Sequence, residues 1–145
     1  MRKPKLPPGS PDDTEHAFYD ALQHADLERL MACWADEDDI LCVHPGGPRL
    51  VGHAAIRASF EALLAQGGVA LHPEQVRRLD AGACSVHSVV ERLDVFSDDG
   101  VRPAWVLATN VYAKTAQGWR LVAHHAGQGP SDGPVEGLAL PPVLH

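Results

Sequence analysis

Strand-like segments fill the C-terminal half of the chain and are separated by short turn sequences. The turns are Asp80-Ala81-Gly82, Ser97-Asp98-Asp99-Gly100 and Thr115-Ala116-Gln117-Gly118. Aspartate and glycine readily adopt the backbone conformations of tight hairpins, so successive strands should pair antiparallel. We therefore expect a meander of four strands, at about residues 69–79, 83–96, 101–114 and 119–127.

Helical spacing of apolar residues marks the N-terminal part. It predicts a first helix at about residues 12–34, with a break near Ala25-Asp26. A short strand is expected at residues 40–43, and a second helix between Gly52 and Gly67-Gly68. Helices that precede an antiparallel meander predict an α+β fold, in which a curved, antiparallel-rich sheet wraps around the N-terminal helices.

The composition is that of one ordinary globular domain. The 145 residues are 45% hydrophobic and 21% charged, which is typical of a folded chain of this length. Segments rich in proline and glycine lie at both ends. We expect a flexible N-terminal tail at residues 1–11, one domain at 12–128 and a C-terminal tail at 129–145.

Charge and cysteine content narrow the possible partners. The net charge of −7 argues against a nucleic-acid partner, because such partners require a basic face. No apolar run is long enough to cross a bilayer, and the proline-rich residues 7–11 do not fit a signal peptide. The three cysteines have no CxxC spacing. We expect a soluble, reduced, cytoplasmic protein without a nucleic-acid or membrane partner.

Five segments, taken in their order and spacing, resemble a known superfamily. They are residues 30–36 (LMACWAD), 43–45 (VHP), 50–56 (LVGHAAI), 108–112 (ATNVY) and 118–125 (GWRLVAHH). Together they resemble SnoaL-like proteins of the nuclear-transport-factor-2-like superfamily. The resemblance implies a cone-shaped, cystatin-like fold with an apolar pocket at its open end. Members use that pocket for ketosteroid isomerisation, cyclisation, dehydration, hydrolysis or plain binding, so the fold does not define the chemistry.

The resemblance to ketosteroid isomerases implies positions for reactive groups. His44 stands where those enzymes carry a carboxylate base, Phe18 where they carry a phenol, and Asn110 where they carry a protonated acid. Their full constellation is therefore missing. His44 as base and Asn110 as donor to an oxyanion still form a candidate catalytic pair. Alternatively, His44 caps a turn and Asn110 satisfies a backbone group.

Two adjacent histidines lie on the last strand, and adjacent strand residues point to opposite faces. Because His125 is in phase with Leu121, we expect His125 to point into the pocket and His124 to point outward. His125 is then either a ligand contact or a buried histidine bonded to a backbone carbonyl. The remaining pocket walls would be aromatic: Phe18, Trp34 and Tyr112.

The sequence predicts neither a metal nor a cofactor. Its nine histidines show no HxH or HExxH spacing. His87 and Glu91 share one strand face but lie about 13 Å apart by strand rise, which is too far for a dyad. Glu91 is expected to pair with a basic side chain or to be solvated.

Two functions remain open. One is a domain that binds a small apolar molecule, as a cofactor-independent isomerase, cyclase or dehydratase with His44 as base. The other is a non-catalytic binding or assembly domain whose cone is filled by side chains. A homodimer formed through the outer sheet face, with Trp105 and His124 exposed there, fits the habit of the superfamily and either function.

Overall fold

The computed structural model describes residues 9–130 and Gly133. The predicted tails therefore fall mainly outside the described residues, which exclude 1–8, 131–132 and 134–145. Within the described part of the chain, none of the helices combines the length and the hydropathy of a membrane span.

Two helices form the N-terminal part and are divided where the sequence indicates a break. α1 is Pro11–Gln23 and α2 is Leu27–Ala32. The side chain of Ser10 caps α1, and that of Asp26 caps α2, each by accepting a backbone N–H. Between them Ala25 has a φ of 55°, a left-handed conformation that a helix cannot continue through.

The third helix, α3, is His53–Leu63, and a 3₁₀ turn at Leu64–Gln66 extends it. Its buried stripe is formed by Ile56 and Phe60, one helical turn apart. Gly68 then passes so close to α1 that an added Cβ would lie 1.9 Å from the carbonyl oxygen of Gln23.

Six strands form one mixed sheet in the order β2-β1-β6-β5-β4-β3. They are β1 Leu41–Val43, β2 Arg49–Val51, β3 Leu71–Ala81, β4 Cys84–Ser97, β5 Gly100–Thr115 and β6 Gly118–Gln128. The last four form the predicted antiparallel meander. β1 pairs with β6 in parallel, and β2, which the sequence did not predict, pairs with β1 antiparallel.

A bulge in β6 reverses the predicted orientation of the two adjacent histidines. Tyr112 pairs with Leu121, but the preceding residue on β5 pairs with Ala123, so Val122 is an extra residue. An extra residue inverts the inward and outward alternation beyond it. His124 is consequently buried at 5% exposure, whereas His125 is exposed. The expectations that His125 points into the pocket and that His124 forms an outer interface are both wrong.

The bulge lies where β6 changes its neighbour. Leu121 bonds the segment that follows α2, through Cys33 and Ala35, whereas β1 pairs with β6 from Ala123 onward. α1 lies against the inner face of the sheet and packs its buried side chains into the core. The α+β class, with a curved, antiparallel-rich sheet around N-terminal helices, is confirmed.

Candidate functional site

A cavity of about 580 Å³ lies between α3, the end of α1 and the inner face of the sheet. This volume is within the range of small-molecule pockets. Most of its lining is apolar and includes Leu22, Phe60, Leu63, Leu71, Leu93 and Val106. The polar side chains that line it are His44, Ser59, Glu91 and His124, and no lysine or arginine is among the described lining residues.

His44 follows β1 and reaches the cavity beside α3. Its Nε2 is 3.1 Å from Oγ of Ser59, and that hydroxyl donates to the backbone carbonyl of Ile56 at 2.8 Å. Since the Ser59 proton is committed to Ile56, the Ser59 oxygen accepts from His44, and the His44 proton resides on Nε2. Burial lowers the pKa of His44 and so favours the neutral ring, whose Nδ1 then carries a lone pair with no partner among the described residues.

Glu91 lies on the inner face of β4 and is only 3% exposed. The hydroxyl of Tyr19, on α1, donates to its Oε2 at 2.6 Å. Burial raises the pKa of this carboxyl to about 7, with a further contribution from Glu15, and the Tyr19 bond opposes the rise. A carboxylic acid near its midpoint at neutral pH can serve as a proton donor.

His124 lies on β6, and its ring centroid is 6.4 Å from that of His44. Its Nδ1 is 2.6 Å from Oδ1 of Asn110, on the neighbouring strand β5. Burial lowers the pKa of His124 to about 3, assisted by His44 and His125. This imidazole is therefore neutral at any ordinary pH.

A buried polar cluster lies behind the cavity wall. The amide of Asn110 donates to the Tyr19 hydroxyl at 3.0 Å and to Oε2 of Glu15 at 3.4 Å. The same Glu15 oxygen accepts from Tyr112 at 2.8 Å and contacts Nδ1 of His87 at 2.9 Å. Burial raises the pKa of both tyrosines well above 10, so both phenols keep their protons and donate them to carboxylates, Tyr19 to Glu91 and Tyr112 to Glu15.

The sequence-predicted residues divide into two groups. His44 lines the cavity, whereas Asn110 is fully buried behind His124 and does not line it. Phe18, Trp34 and Tyr112 also lie outside the cavity lining among the described residues. Phe18 instead packs its ring against those of Trp34 and His124.

Sequence reasoning missed Glu91, Tyr19 and Ser59. Glu91 was expected to be solvated or paired with a base, but its partner is the phenol of Tyr19 from a helix 72 residues earlier. The inward alternation of Ser85, His87, Val89 and Glu91 on β4 was a usable signal. This alternation indicates that Glu91 points to the inner face of the sheet, but it does not identify Tyr19 as its partner.

Asp12, Glu15 and His87 place ligand atoms within 4.8 Å of one another. They do not fit a metal ion, because the two carboxylates contact different ring nitrogens. Glu15 lies 2.9 Å from Nδ1 and Asp12 lies 3.9 Å from Nε2, and an imidazole ligates one ion through one nitrogen. Asp12 is also engaged elsewhere, because Nε of Arg78 lies 2.6 Å from its Oδ1.

Solved structures share this architecture. A crystal structure from Thiobacillus denitrificans, described as a candidate calcium/calmodulin-dependent protein kinase type II association domain, is 34% identical, with a TM-score of 0.76 over 86% of this chain and 98% of that one. A candidate dehydratase of the NTF2-like family from Streptomyces avermitilis is 28% identical, with a TM-score of 0.70 over 79% and 90% of the two chains. The CaMKII hub of S. rosetta, 16% identical, has a TM-score of 0.67 over 84% and 99%.

No curated protein sequence matches the chain significantly. The model of the SnoaL-like domain, in contrast, matches residues 13–128, a span that runs from the first turn of α1 to the last residue of β6. The order of elements, the cavity on the inner face of the sheet and this match agree: the chain belongs to the SnoaL-like domain family of the NTF2-like superfamily.

Proposed function

We propose that the chain is a cofactor-independent enzyme that transfers a proton on a small, neutral, mainly apolar molecule held in the cavity. The observation that carries the proposal is the grouping of His44, Glu91 and His124 at a cavity that is otherwise almost entirely apolar. Burial favours the uncharged form of all three groups. Such a site holds a base and an acid together without an ion pair.

His44 is the base in this proposal. Its unprotonated nitrogen removes a proton from carbon, while the Glu91 carboxyl donates its proton to an oxygen of the same molecule. In a dehydration the oxygen leaves as water. In an isomerisation the proton returns to another carbon, and neither reaction needs an oxidant or a reductant.

Asn110, the other sequence-predicted catalytic residue, has a different place in this proposal. Both of its amide contacts are taken by Tyr19 and Glu15, and its oxygen is taken by His124. It therefore positions His124 rather than touching the substrate.

The test uses 5-nitrobenzisoxazole, a small flat molecule in which removal of one C–H proton breaks the N–O bond and yields a coloured phenolate. We expect the protein to accelerate this reaction, with a rate that rises as His44 loses its proton and falls again above the pKa of about 7 at which Glu91 loses its own. His44→Gln should lower the rate by about 10² to 10⁴, the usual contribution of a positioned base.

His16→Gln is the matched control, because His16 is exposed on α1, away from the cavity. It should leave the rate unchanged. Equal rates for His44→Gln and the wild type, with both proteins folded by circular dichroism, would contradict the assignment of His44 as base.

A second candidate function is assembly, favoured by the 34% identical relative that is described as an association domain. The outer face of β5 offers apolar surface, with Leu107 at 47% exposure and Trp105 half-buried in the same phase. A homodimer through this face would bury both side chains. It is compatible with the enzyme, because the cavity lies against the inner face of the sheet, whereas Leu107 and Trp105 lie in the outer phase of β5.

Native mass spectrometry tests the assembly. We expect a dimer for the wild type, a shift towards monomer for Leu107→Glu, and no shift for the apolar control Leu107→Met. A monomeric wild type at micromolar concentration, or an unchanged dimer in Leu107→Glu, would refute this interface.

A further inference from the structure

Glu15 determines which groups of the buried polar cluster donate and which accept hydrogen bonds. Oε2 of Glu15 accepts from the Tyr112 hydroxyl and from the Asn110 amide. If the Asn110 amide were turned around, its oxygen would face the Glu15 oxygen, and two acceptors would meet in a buried site. The NH₂ group of Asn110 is thereby fixed towards Glu15 and Tyr19.

The orientation of Asn110 determines the tautomer of His124. With its NH₂ group engaged, Asn110 presents its oxygen to Nδ1 of His124 at 2.6 Å. An oxygen acceptor at that distance requires Nδ1 to carry the proton. A neutral imidazole carries one ring proton only, and so Nε2 of His124 is an acceptor.

This nitrogen is open to the cavity. Nε2 of His124 has no hydrogen-bond partner in the described part of the chain. Four other side-chain atoms of that part are both unpartnered and fully buried, and since Nε2 is not one of them, it retains some accessible surface. Its ring lies on the inner face of β6 and lines the cavity. An accessible acceptor in an apolar cavity favours a ligand that can donate to it.

We infer that Glu15 and Asn110 hold His124 as the Nδ1–H tautomer, and that the cavity therefore selects neutral molecules with an apolar body and a hydroxyl group that donates to Nε2. The inference rests on the proposed ligand-binding role of the cavity and names its substrate class: phenols, enols and alcohols. An anionic ligand is disfavoured, because an apolar cavity penalises a buried charge and the described lining contains no lysine or arginine to pair with it.

The tautomer can be read directly from two-bond ¹H–¹⁵N correlation spectra of ¹⁵N-labelled protein at neutral pH, with His124→Gln to assign the ring. We expect a protonated Nδ1 and an unprotonated Nε2. Glu15→Met removes both acceptor oxygens, so Asn110 can turn around and the Nε2–H tautomer should become detectable. Tyr112→Phe removes a different donor to Glu15 and should leave the tautomer unchanged.

Ligand selection is tested with three naphthalenes of similar size. 2-Naphthol can donate to Nε2, 2-methoxynaphthalene cannot, and 2-naphthoate is an anion. We expect 2-naphthol to bind about tenfold more tightly than 2-methoxynaphthalene, the upper range for one net hydrogen bond, and 2-naphthoate to bind weakest. His124→Phe should remove the preference for 2-naphthol.

An Nε2–H tautomer in the wild type overturns the inference, and so does equal or absent binding of 2-naphthol and 2-methoxynaphthalene. These outcomes are separable from the proposed chemistry. A protein with the expected tautomer and the preference for 2-naphthol, but without acceleration of the benzisoxazole reaction, keeps this inference and loses the proton-transfer function.

Discussion

Replacement of Glu91 by glutamine should stabilise the protein at neutral and alkaline pH and leave its stability nearly unchanged in acid. Glutamine has the same shape as glutamate, and its carbonyl oxygen can still accept from the Tyr19 hydroxyl. The substitution therefore removes one titrating proton from a buried position and little else. It isolates the free energy of ionising Glu91 inside the fold.

The magnitude follows from the pKa of Glu91, which burial raises from 4.5 to about 7. Below pH 4.5 the carboxyl is protonated in both the folded and the unfolded chain, so it costs no folding stability there. Between 4.5 and about 7 the unfolded chain releases the proton while the folded chain keeps it, so folding stability falls as pH rises. At 1.4 kcal/mol for each tenfold change in proton affinity, the loss is about 3 kcal/mol.

Urea unfolding of the wild type and of Glu91→Gln, followed by tryptophan fluorescence at about pH 4 and about pH 8, measures this difference. The glutamine variant should gain about 3 kcal/mol over the wild type at the higher pH and little at the lower pH. Glu61→Gln, at an exposed position on α3, is the control and should change stability little at either pH. A Glu91→Gln variant with the same stability difference at both pH values would refute a protonated Glu91 in the cavity, and with it the acid of the proposed mechanism.

Two further predictions concern packing and thiol reactivity. Gly68→Ala should destabilise the fold by about 2 kcal/mol or more in urea unfolding, because its Cβ would meet backbone atoms of Gln23. Gly127→Ala is the control and should not destabilise the fold in this way, because its added Cβ has nothing within 4 Å. Equal losses of stability in the two variants would exclude the close approach of Gly68 to α1. Iodoacetamide should modify the folded protein at the half-buried Cys84 only, since Cys33 and Cys42 are buried and their pKa is raised to about 12; mass spectrometry that finds all three cysteines modified without denaturant would contradict this burial.

Local sequence signals were sufficient for most of the fold. The turns at Asp80-Ala81-Gly82 and Ser97-Asp98-Asp99-Gly100 define the hairpins of the meander, and the break at Ala25-Asp26 divides the N-terminal helices. These features depend on residues close together in the chain. β2 escaped prediction because it is a three-residue strand, paired with the equally short β1, and such a short segment has no measurable alternation.

The site was less predictable, since its contacts join distant segments. His44 could be placed at the cavity from the resemblance, but the partnership of Tyr19 with Glu91 joins residues 72 positions apart. The depth of burial that raises the pKa of Glu91 is likewise a property of the assembled fold. The inward phase of β4 could have indicated Glu91, whereas the phase of β6 misled because the bulge at Val122 carries no distinctive residue.

That bulge makes β6 tolerant of a change in chain length. Loss of Val122 would leave Leu121 opposite Tyr112 and Ala123 opposite Val111, so the two strands would pair without the extra residue. His124 would keep its place opposite Asn110, and His125 would still point outward. A single-codon deletion at Val122 would thus remove the irregularity in β6 but not the imidazole at the cavity.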